Sequence, residues 1–312
     1  MSVRLIEHLK SLGLTGREAR RALSSGKVSL RGVPTADAGR RVVPAEVRYD
    51  ERAPRIRVGV DPVILWRDEH MAVVWKPAGL LSVAAPRRGK DDNLVSLMAR
   101  LMGEAHPIHR LDEDTSGLMM VARSAAIRQA MIPKFAAHTI ERGYLALVAR
   151  AFPKKPITVR NIIVEDRGDG RRGAGEGPGG VEAATHFRLV ETLAQSASVV
   201  EARLETGRKH QVRIHLSELG YPVLGDSRYG DRRSVLRARR LALHAYKLAF
   251  EHPVTRERLS FEAPLADDLE YLKRVLNGEE DPPVPRKPRA KPVPASKRKK
   301  DRQKKNRRKK NG

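Results

Sequence analysis

The chain has 312 residues, no cysteine, and 62 lysine and arginine residues against 37 aspartate and glutamate residues. Without cysteine it can form no disulfide, thiolate metal site or thiol nucleophile. The formal charge of +25 points to a phosphate polyanion as partner, because each neutralised phosphate releases condensed counterions; solubility alone is the alternative. The longest uncharged apolar run, 144–149, is far shorter than the roughly 20 residues of a bilayer span. We therefore expect a cytoplasmic protein without a membrane segment.

The first 50 residues predict two short helices and then a hairpin. Helical residues run over 3–24, where Gly13 ends the first helix and Thr15 can cap the second, over 17–23. The apolar stripe of the first helix consists of Leu5, Leu9 and Leu12. The predicted strands that follow are 27–33 and 41–49, around a Gly/Pro turn.

Basic side chains cluster around the second predicted helix and its exit. They are Arg17, Arg20, Arg21 and Lys27. The segment resembles the small RNA-binding module first seen in a bacterial ribosomal small-subunit protein (S-four type), in which two helices precede a bent hairpin. This resemblance implies an RNA-binding module over 1–50, with these four side chains as RNA contacts. A generic helical cap is the competing interpretation of so short a motif.

A charged, proline-bearing linker over 51–62 separates this module from a larger predicted domain over 63–276. The domain's predicted strands are 71–75, 117–122, 144–149, 185–190 and 198–204, and its predicted helices are 94–102, 124–135 and 211–219. Residues 167–180 include seven glycines and read as a surface loop. Because strands and helices do not alternate regularly, we predict an α+β fold with a large mixed, mainly antiparallel sheet flanked by helices.

The C-terminal segment, 277–312, is predicted to be a disordered basic tail. Residues 282–312 contain six prolines, 15 basic residues and one acidic residue, a net +14 of the total +25, so that +11 remains on residues 1–281. Such a composition leaves almost nothing to bury. We expect the tail to add nonspecific affinity for phosphates.

A first cluster of ionisable residues spans 109–117, just before the predicted strand 117–122. Polar groups at the edge of a strand have a rigid support and remain accessible, which suits a functional site. A solvated turn is the competing interpretation, because Asp, Thr, Ser and Gly are common turn residues.

A second cluster, 206–215, places two arginines, one lysine and two histidines around the start of the predicted helix 211–219. Charge and unpaired amides at a helix start both attract phosphate. His210 and His215 lie five residues apart, which does not match the spacing of three or four that places two imidazoles on one helical face. We therefore expect no metal site here.

Other enzyme classes lack their signatures. The sequence contains no Gly-x-x-x-x-Gly-Lys-Ser/Thr loop and no Gly-x-Ser-x-Gly elbow. A serine hydrolase built from Ser116, His109 and Asp112 remains conceivable. Asp112 and Asp114 are too close in sequence to face each other across a sugar at the roughly 5 Å or more that glycosidase carboxylates need.

Several short motifs follow one another in a distinctive order. They are Lys76-Pro77-Ala78-Gly79-Leu80, His109-Arg110-Leu111-Asp112 with Thr115-Ser116-Gly117, Arg142-Gly143-Tyr144, the run 207–215, the run 219–226, Leu243-His244-Ala245, and His252-Pro253. In this order they resemble the RluA-type pseudouridine synthases over about residues 63–272. The resemblance implies the pseudouridine synthase fold, isomerisation of uridine to pseudouridine in structured RNA, and no cofactor.

The resemblance also implies a role for individual residues. Asp112 matches the catalytic carboxylate, Arg213 the arginine that pairs with it, and Tyr144 the ring that lies against the uracil. Arg110 matches the residue that fills the space of the flipped base, and His109 holds the loop. The further substrate-binding residues that the motifs imply are Lys76, Arg208, Lys209, His210 and Gln211.

The RNA target is predicted from the domain combination. A catalytic domain joined to an N-terminal RNA-binding module resembles the ribosomal members of the family, which favours large-subunit (23S) ribosomal RNA. Transfer RNA is the alternative substrate, and a noncatalytic RNA-binding protein is the alternative function. The intact set of Asp112, Tyr144 and Arg213 favours the enzyme, because a pure binder needs no carboxylate in a phosphate-binding cleft. We expect a monomer.

Overall fold

A computed structural model describes most of the chain. The described ranges are 2–85, 93–168, 171–177, 179–194 and 196–280, without the side chain of Leu236. Of the predicted tail over 277–312, residues 281–312 lie outside the described residues, and the predicted disorder therefore stays a prediction. Within the described ranges, no helix combines the length and the apolar character that a membrane crossing requires.

The N-terminal region consists of two helices and five short strands. The helices are α1 (Leu5–Ser11) and α2 (Gly16–Ser24), the strands are β1 (Val3–Arg4), β2 (Val28–Leu30), β3 (Val33–Pro34), β4 (Arg41–Val42) and β5 (Val47–Tyr49), and a 3₁₀ turn covers Pro44–Glu46. Thr15 caps the start of α2, as the sequence predicted, and Glu18 completes a capping box with it. Leu5 and Leu9 are buried, whereas Leu12 follows the end of α1 and is 53% exposed, so its place on the buried stripe was predicted wrongly.

An 11-stranded sheet with five helices forms the remainder of the described chain. The strands are β6 (Val63–Arg67), β7 (Met71–Lys76), β8 (His106–Pro107), β9 (Ser116–Ala122), β10 (Glu141–Ala149), β11 (Ile157–Val164), β12 (Gly173–Ala174), β13 (Val181–Leu193), β14 (Ala197–Leu204), β15 (Leu243–Glu251) and β16 (Arg258–Glu262). The helices are α3 (Leu94–Met102), α4 (Ala125–Ala136), α5 (Gln211–Glu218), α6 (Arg232–Leu236) and α7 (Asp267–Leu276). The sheet order is β12-β11-β13-β14-β10-β15-β9-β7-β6, with β16 beside β15 and β8 beside β9.

One parallel contact interrupts an otherwise antiparallel sheet. Among the described strands only β9 and β15 run parallel, with Ala245 opposite Gly117. Gly117 has φ +118°, and a Cβ there would overlap the backbone of Ala245, so this close approach requires glycine. The prediction of an α+β fold with a mixed, mainly antiparallel sheet is confirmed. Since β9 begins directly after the loop 109–115, the contact fixes where that loop meets the sheet.

Some elements were missed because their residue pattern is ambiguous or their partners are distant. The missed elements are β6, β8, β11, β15, β16, α6 and α7. The predicted surface loop over 167–180 also contains β12, which pairs antiparallel with β11. Glycine disfavours strand structure in isolation, but here the pairing with a neighbouring strand overrides that preference.

Apolar side chains on one face of α5 anchor this helix. Val212 and Leu216 are buried in one cluster with Leu147 of β10 and Val200 of β14. Burial of a leucine or valine side chain contributes about 1.5–3 kcal/mol. The first turn of α5 is therefore held firmly against the sheet, beside the loop 109–115.

Ion pairs join the N-terminal region to α7. The carboxylate of Asp267 accepts hydrogen bonds from the Thr35 hydroxyl (2.6 Å) and the Ala36 amide (2.7 Å). Nη1 of the buried Arg40 donates to Leu265 O at 2.9 Å and to Asp267 at 3.2 Å. Burial raises the pKa of Asp267, although these donors act in the opposite direction. The N-terminal region is thus packed against the larger domain.

Candidate active site

Two fixed polar contacts shape the loop 109–115. The hydroxyl of Ser82 donates to Leu111 O (2.7 Å) and accepts from the Leu111 amide (3.0 Å). Nε2 of His109 accepts a hydrogen bond from the Met120 amide at 3.0 Å, and burial lowers the pKa of His109 to about 3. His109 is therefore a neutral ring that ties the loop to β9.

The loop presents Asp112 to an arginine that lies 101 residues further along the chain. Nη1 of Arg213, in the first turn of α5, donates to Oδ2 of Asp112 at 2.8 Å. Oδ1 of Asp112 lies 3.7 Å from Nε2 of His210, beyond hydrogen-bond distance. One oxygen of this carboxylate is thus held by a cation, while the other has no hydrogen-bond donor among the described residues.

A second carboxylate orients the guanidinium of Arg213. Nε and Nη2 of Arg213 donate to the two oxygens of Asp226, each at 2.8 Å. The amides of Arg228 and Tyr229 also donate to Asp226, at 2.9 and 3.0 Å. Asp226 is 1% exposed. Three nitrogens of Arg213 therefore all have carboxylate partners, a geometry that only arginine can provide.

Burial and charge act in opposite directions on this pair. Burial alone would lower the pKa of Arg213, but its bonds and charge contacts with Asp226 and Asp112 raise it overall. Burial alone would likewise raise the pKa of Asp226, but Arg213 and the two backbone amides bring it below its ordinary value. The pair is therefore ionised at neutral pH. Asp226 closed a quoted motif, yet the sequence prediction did not name it as a site residue.

Tyr144 lies on β10 and lines one pocket together with Asp112 and Arg213. A β-bulge between Gly143 and Tyr144 shifts the register against β15, and such bulges re-aim side chains beside functional sites. Burial raises the pKa of Tyr144 to about 12, so its hydroxyl stays protonated.

The pocket brings together most of the residues predicted from the motifs. Its lining residues are Arg110, Leu111, Asp112, Thr115, Tyr144, Leu204, Gly207, Arg208, Lys209, His210, Gln211, Val212, Arg213 and Leu243. Arg110, Arg208 and Lys209 are exposed at its mouth. The buried hydroxyl of Thr115 has no hydrogen-bond partner among the described residues. Thr115 is therefore an unpaired polar group behind the pocket wall, which the sequence prediction did not single out.

Two of the predicted substrate-binding residues also have internal partners. His210 directly precedes α5 as its N-cap, has a left-handed φ of +62°, and hydrogen-bonds through Nδ1 to the Tyr229 hydroxyl at 2.9 Å. Burial lowers the pKa of His210 to about 4, which Asp112 partly opposes. The buried amide of Gln211 hydrogen-bonds to Thr206 Oγ1 (2.7 Å) and Ala184 O (3.0 Å). Gln211 thus holds the 206–210 turn against β13.

The remaining predicted residues do not line this pocket. Lys76 is completely buried, and its ammonium donates to three carbonyl oxygens, those of Pro77 (3.0 Å), Leu80 (2.7 Å) and Glu113 (2.9 Å). Burial, reinforced by Arg240, lowers the pKa of Lys76 to about 7. The N-terminal basic residues Arg17, Arg20, Arg21 and Lys27 lie on or directly after α2, outside the pocket.

Comparison with known proteins identifies the family. The model of the RNA pseudouridylate synthase family matches residues 70–218. Ribosomal large subunit pseudouridine synthase D of Zymomonas mobilis is 35% identical over 241 residues, which cover 68% of this chain and 72% of the relative. The chain belongs to the RNA pseudouridylate synthase family. The protein is therefore an RNA pseudouridine synthase, as the order of its motifs predicted.

Further relatives extend this similarity. The protein of the same name from Xylella fastidiosa is 34% identical over 277 residues, or 81% of this chain and 82% of the relative. An uncharacterized RNA pseudouridine synthase of Bacillus subtilis, YhcT, is 36% identical over 218 residues and covers 68% of this chain and 71% of its own. The structure of human RNA pseudouridylate synthase domain containing 1 shares the fold, with a TM-score of 0.57 and 24% identity over 71% of this chain and 87% of its own.

The serine hydrolase alternative does not fit the geometry of this pseudouridine synthase. Ser116 is completely buried, and its hydroxyl hydrogen-bonds to Nδ1 of His244 at 2.9 Å. His109 uses Nε2 to accept from a backbone amide, so that nitrogen cannot take a proton from Ser116. Asp112 pairs with Arg213 instead of orienting an imidazole. The three residues therefore form no catalytic triad.

Buried neutral histidines should make the synthase less stable at acid pH. Burial lowers the pKa of His215 to about 4 and that of His244 to about 3. In the unfolded chain each ring takes up a proton near pH 6.5, so the unfolded state binds more protons as the pH falls below that value. Each residue should then remove about 1 kcal/mol of unfolding free energy per pH unit between pH 6.5 and its folded pKa.

Urea unfolding at pH 7, 6 and 5 measures this effect. We expect the free energy of unfolding to fall with pH, and His215→Gln to reduce the slope. His186→Gln, which changes an imidazole that is 43% exposed, is the matched control and should change the slope less than His215→Gln does. Equal stability of the wild type at pH 7 and pH 5 would contradict the assignment of neutral buried rings.

Proposed function

We propose that this enzyme converts uridine to pseudouridine in large-subunit ribosomal RNA, with Asp112 as the catalytic carboxylate. One observation carries the assignment: an accessible aspartate whose one oxygen is held by a buried, fully paired arginine, while the other oxygen is free. Two relatives similar over most of their length are named as ribosomal large subunit enzymes. That name favours ribosomal RNA over transfer RNA.

The reaction exchanges one bond to the ribose for another. The bond between N1 of uracil and C1′ breaks, a bond between C5 and C1′ forms, the proton on C5 leaves, and N1 regains a proton. Atoms and electrons balance within the nucleotide, so the reaction needs no co-reactant or cofactor. The chain must supply an ionised carboxylate at the ribose or base and walls that retain the detached uracil.

The surroundings of Asp112 suit that requirement. Arg213 stabilises the ionised carboxylate and fixes its orientation, since its guanidinium cannot rotate without breaking the bidentate contact to Asp226. Tyr144 offers a ring for stacking against the uracil, with a hydroxyl that stays protonated. We infer that Asp112, Arg213 and Tyr144 act as one catalytic unit.

The target nucleotide must leave its RNA stack to reach Asp112. Such flipping costs a few kcal/mol. Arg110 is exposed at the pocket mouth, and none of the described residues forms a hydrogen bond or ion pair with its guanidinium. We infer that Arg110 occupies the space that the uridine vacates, while Arg208 and Lys209 contact neighbouring phosphates.

The noncatalytic alternative is disfavoured by the cost of this arrangement. A protein that only binds RNA gains affinity from cations, whereas a carboxylate in the pocket repels phosphate. Burying Asp226 and Arg213 also carries a desolvation penalty of several kcal/mol per ion. This arrangement fixes the orientation of one carboxylate, which serves catalysis and does not increase the affinity for RNA.

We infer that the N-terminal region is an RNA-binding module and that the enzyme works as a cytoplasmic monomer. Arg17, Arg20 and Arg21 are exposed on α2. Exposed arginines on one short helix suit phosphate contacts, and the 282–312 tail carries further positive charge. These contacts supply affinity, and the pocket supplies chemistry.

Mapping pseudouridines in total RNA tests the proposal. RNA from cells that lack the gene is compared with RNA from cells that express the wild-type protein. We expect at least one large-subunit ribosomal uridine to remain unmodified without the gene and to be modified when it is restored. Loss of modification only in transfer RNA would replace the substrate assignment, and no change at any uridine would refute the function.

A further inference from the structure

A second groove, here called the side groove, adjoins the catalytic pocket on the other side of Tyr144. The two cavities share Arg110, Tyr144, Leu204, Gly207 and Arg208 as walls. The residues specific to the side groove include Ile132, Phe135, His138 and Arg142. A nucleic acid that fills the catalytic pocket would therefore have its adjacent residue at the opening of the side groove.

The side groove is cationic. Arg142 is 8% exposed, and its Nη2 donates to Glu205 O at 3.0 Å. Its buried Nε has no hydrogen-bond partner among the described residues, which normally costs free energy unless a ligand or water accepts the bond. Arg110 and Arg208 add two more guanidiniums, and no acidic residue belongs to the lining. The groove therefore favours an anionic ligand.

Apolar side chains of α4 also line the side groove. Ile132 projects from α4 and is 42% exposed, and Phe135 lies one turn further along the helix. The guanidinium carbon of Arg142 is 5.2 Å from the centroid of the Phe135 ring. Flat apolar surface beside guanidinium groups is the combination that binds single-stranded nucleotides, with stacking for the base and charge for the phosphate.

Glycine at position 207 leaves room for this arrangement. A Cβ on Gly207 would overlap Nη1 of Arg142. A side chain at position 207 would therefore shift the end of the Arg142 side chain from its present position. The side groove and the catalytic pocket are consequently built by the same turn, 206–210.

We propose that the side groove binds the nucleotide next to the target uridine, with its base against Ile132 and Phe135 and its phosphate near Arg142 and Arg110. The proposal rests on the proposed function for the identity of the ligand as RNA. It adds a subsite that holds the RNA strand while the uridine occupies the catalytic pocket. The subsite recognises a base by stacking and not by its edge, so it accepts several bases.

Binding of short RNAs to the full-length protein tests this subsite. The probe is a labelled nonamer with one central uridine among adenosines, compared with nonamers in which the nucleotide directly 5′ or directly 3′ of the uridine is abasic. For the wild type we expect one of the two abasic probes to bind roughly fivefold more weakly or worse. Equal binding of all three probes would overturn the subsite.

Variants at one exposed position give the decisive comparison. Ile132→Ser should weaken binding of the intact nonamer about fivefold. This variant should bind the intact nonamer and the abasic probe that the wild type binds more weakly with nearly equal affinity. Ile132→Trp should strengthen binding several-fold through a larger stacking surface. The matched controls are Ile162→Ser and Ile162→Trp, because Ile162 on β11 is also 42% exposed and does not line the side groove. Equal effects at both positions would refute the proposal.

These measurements separate the subsite from the enzyme's proposed function. Binding to the nonamers does not depend on turnover or on which cellular RNA is modified. Mapped pseudouridines together with equal binding of the three probes would remove the subsite and keep the function. Base-dependent binding at Ile132 without any mapped pseudouridine would keep the subsite and remove the function.

Discussion

Asp112→Asn is expected to abolish pseudouridine formation, lowering turnover by roughly 10⁴-fold or more. Asparagine keeps the size of the side chain and can still accept a hydrogen bond from Arg213, which donates to Asp112 at 2.8 Å in the wild type. It loses the negative charge of the carboxylate, which the proposed reaction uses at the ribose or base. Turnover is measured on in vitro-transcribed large-subunit ribosomal RNA, by release of tritium from C5 of labelled uridine.

RNA affinity should separate a chemical role of Asp112 from a structural one. Removal of a negative charge from a cationic pocket should leave affinity within about threefold of wild type or raise it slightly. Asp114→Asn is the matched control, because Asp114 is an exposed carboxylate of the same loop and does not line the pocket; it should stay active. Wild-type turnover by Asp112→Asn would refute the catalytic assignment.

The second large effect is expected from Asp226→Asn. The change leaves Arg213 with one of its three carboxylate contacts, the one to Asp112, and places an amide donor against a guanidinium donor. Breaking a buried ion pair costs about 3–5 kcal/mol of stability. A loss of orientation at Arg213 should also lower turnover by about 100-fold or more. Urea unfolding and single-turnover rates measure the two effects.

Asp268→Asn is the control for the loss of an arginine-paired carboxylate. Asp268 pairs with Arg240 at 2.6 Å, but its side chain is 58% exposed, so the change should cost less than about 1 kcal/mol. Rates are compared at a temperature at which circular dichroism shows all variants folded. If Asp226→Asn matched the wild type in both stability and rate, the role of Asp226 as the residue that positions Arg213 would be wrong.

Local patterns predicted much of the fold. The capping residue Thr15 and the bounds of α3 both follow from residues that are neighbours in sequence. Strand β11 was missed because polar and apolar residues do not alternate regularly along its sequence, although the burial of its residues alternates over most of its length. Helix α7 carried a readable signal, with acidic residues in its first turn and basic residues in its last, which the sequence prediction did not use.

The sequence predicted most residues of the site but not the contacts between them. The motifs supplied Asp112 and Arg213, but their contact spans 101 residues, and no spacing rule links positions so far apart. Asp226 lies inside a motif, and nothing in its neighbours indicates that it holds an arginine of α5. Lys76 shows the converse: a motif lysine reads as a phosphate contact until burial shows all three of its protons bound to carbonyl oxygens.

The buried ammonium of Lys76 holds the backbone next to the proposed active site. It ties the segment after β7 to the backbone beside Asp112, through Leu80 O and Glu113 O. The carboxylate of Asp112, the proposed catalytic group, is consequently in place before any substrate arrives. Free energy gained on docking the nucleic acid is then available for extruding a base from its helix, instead of ordering a mobile loop.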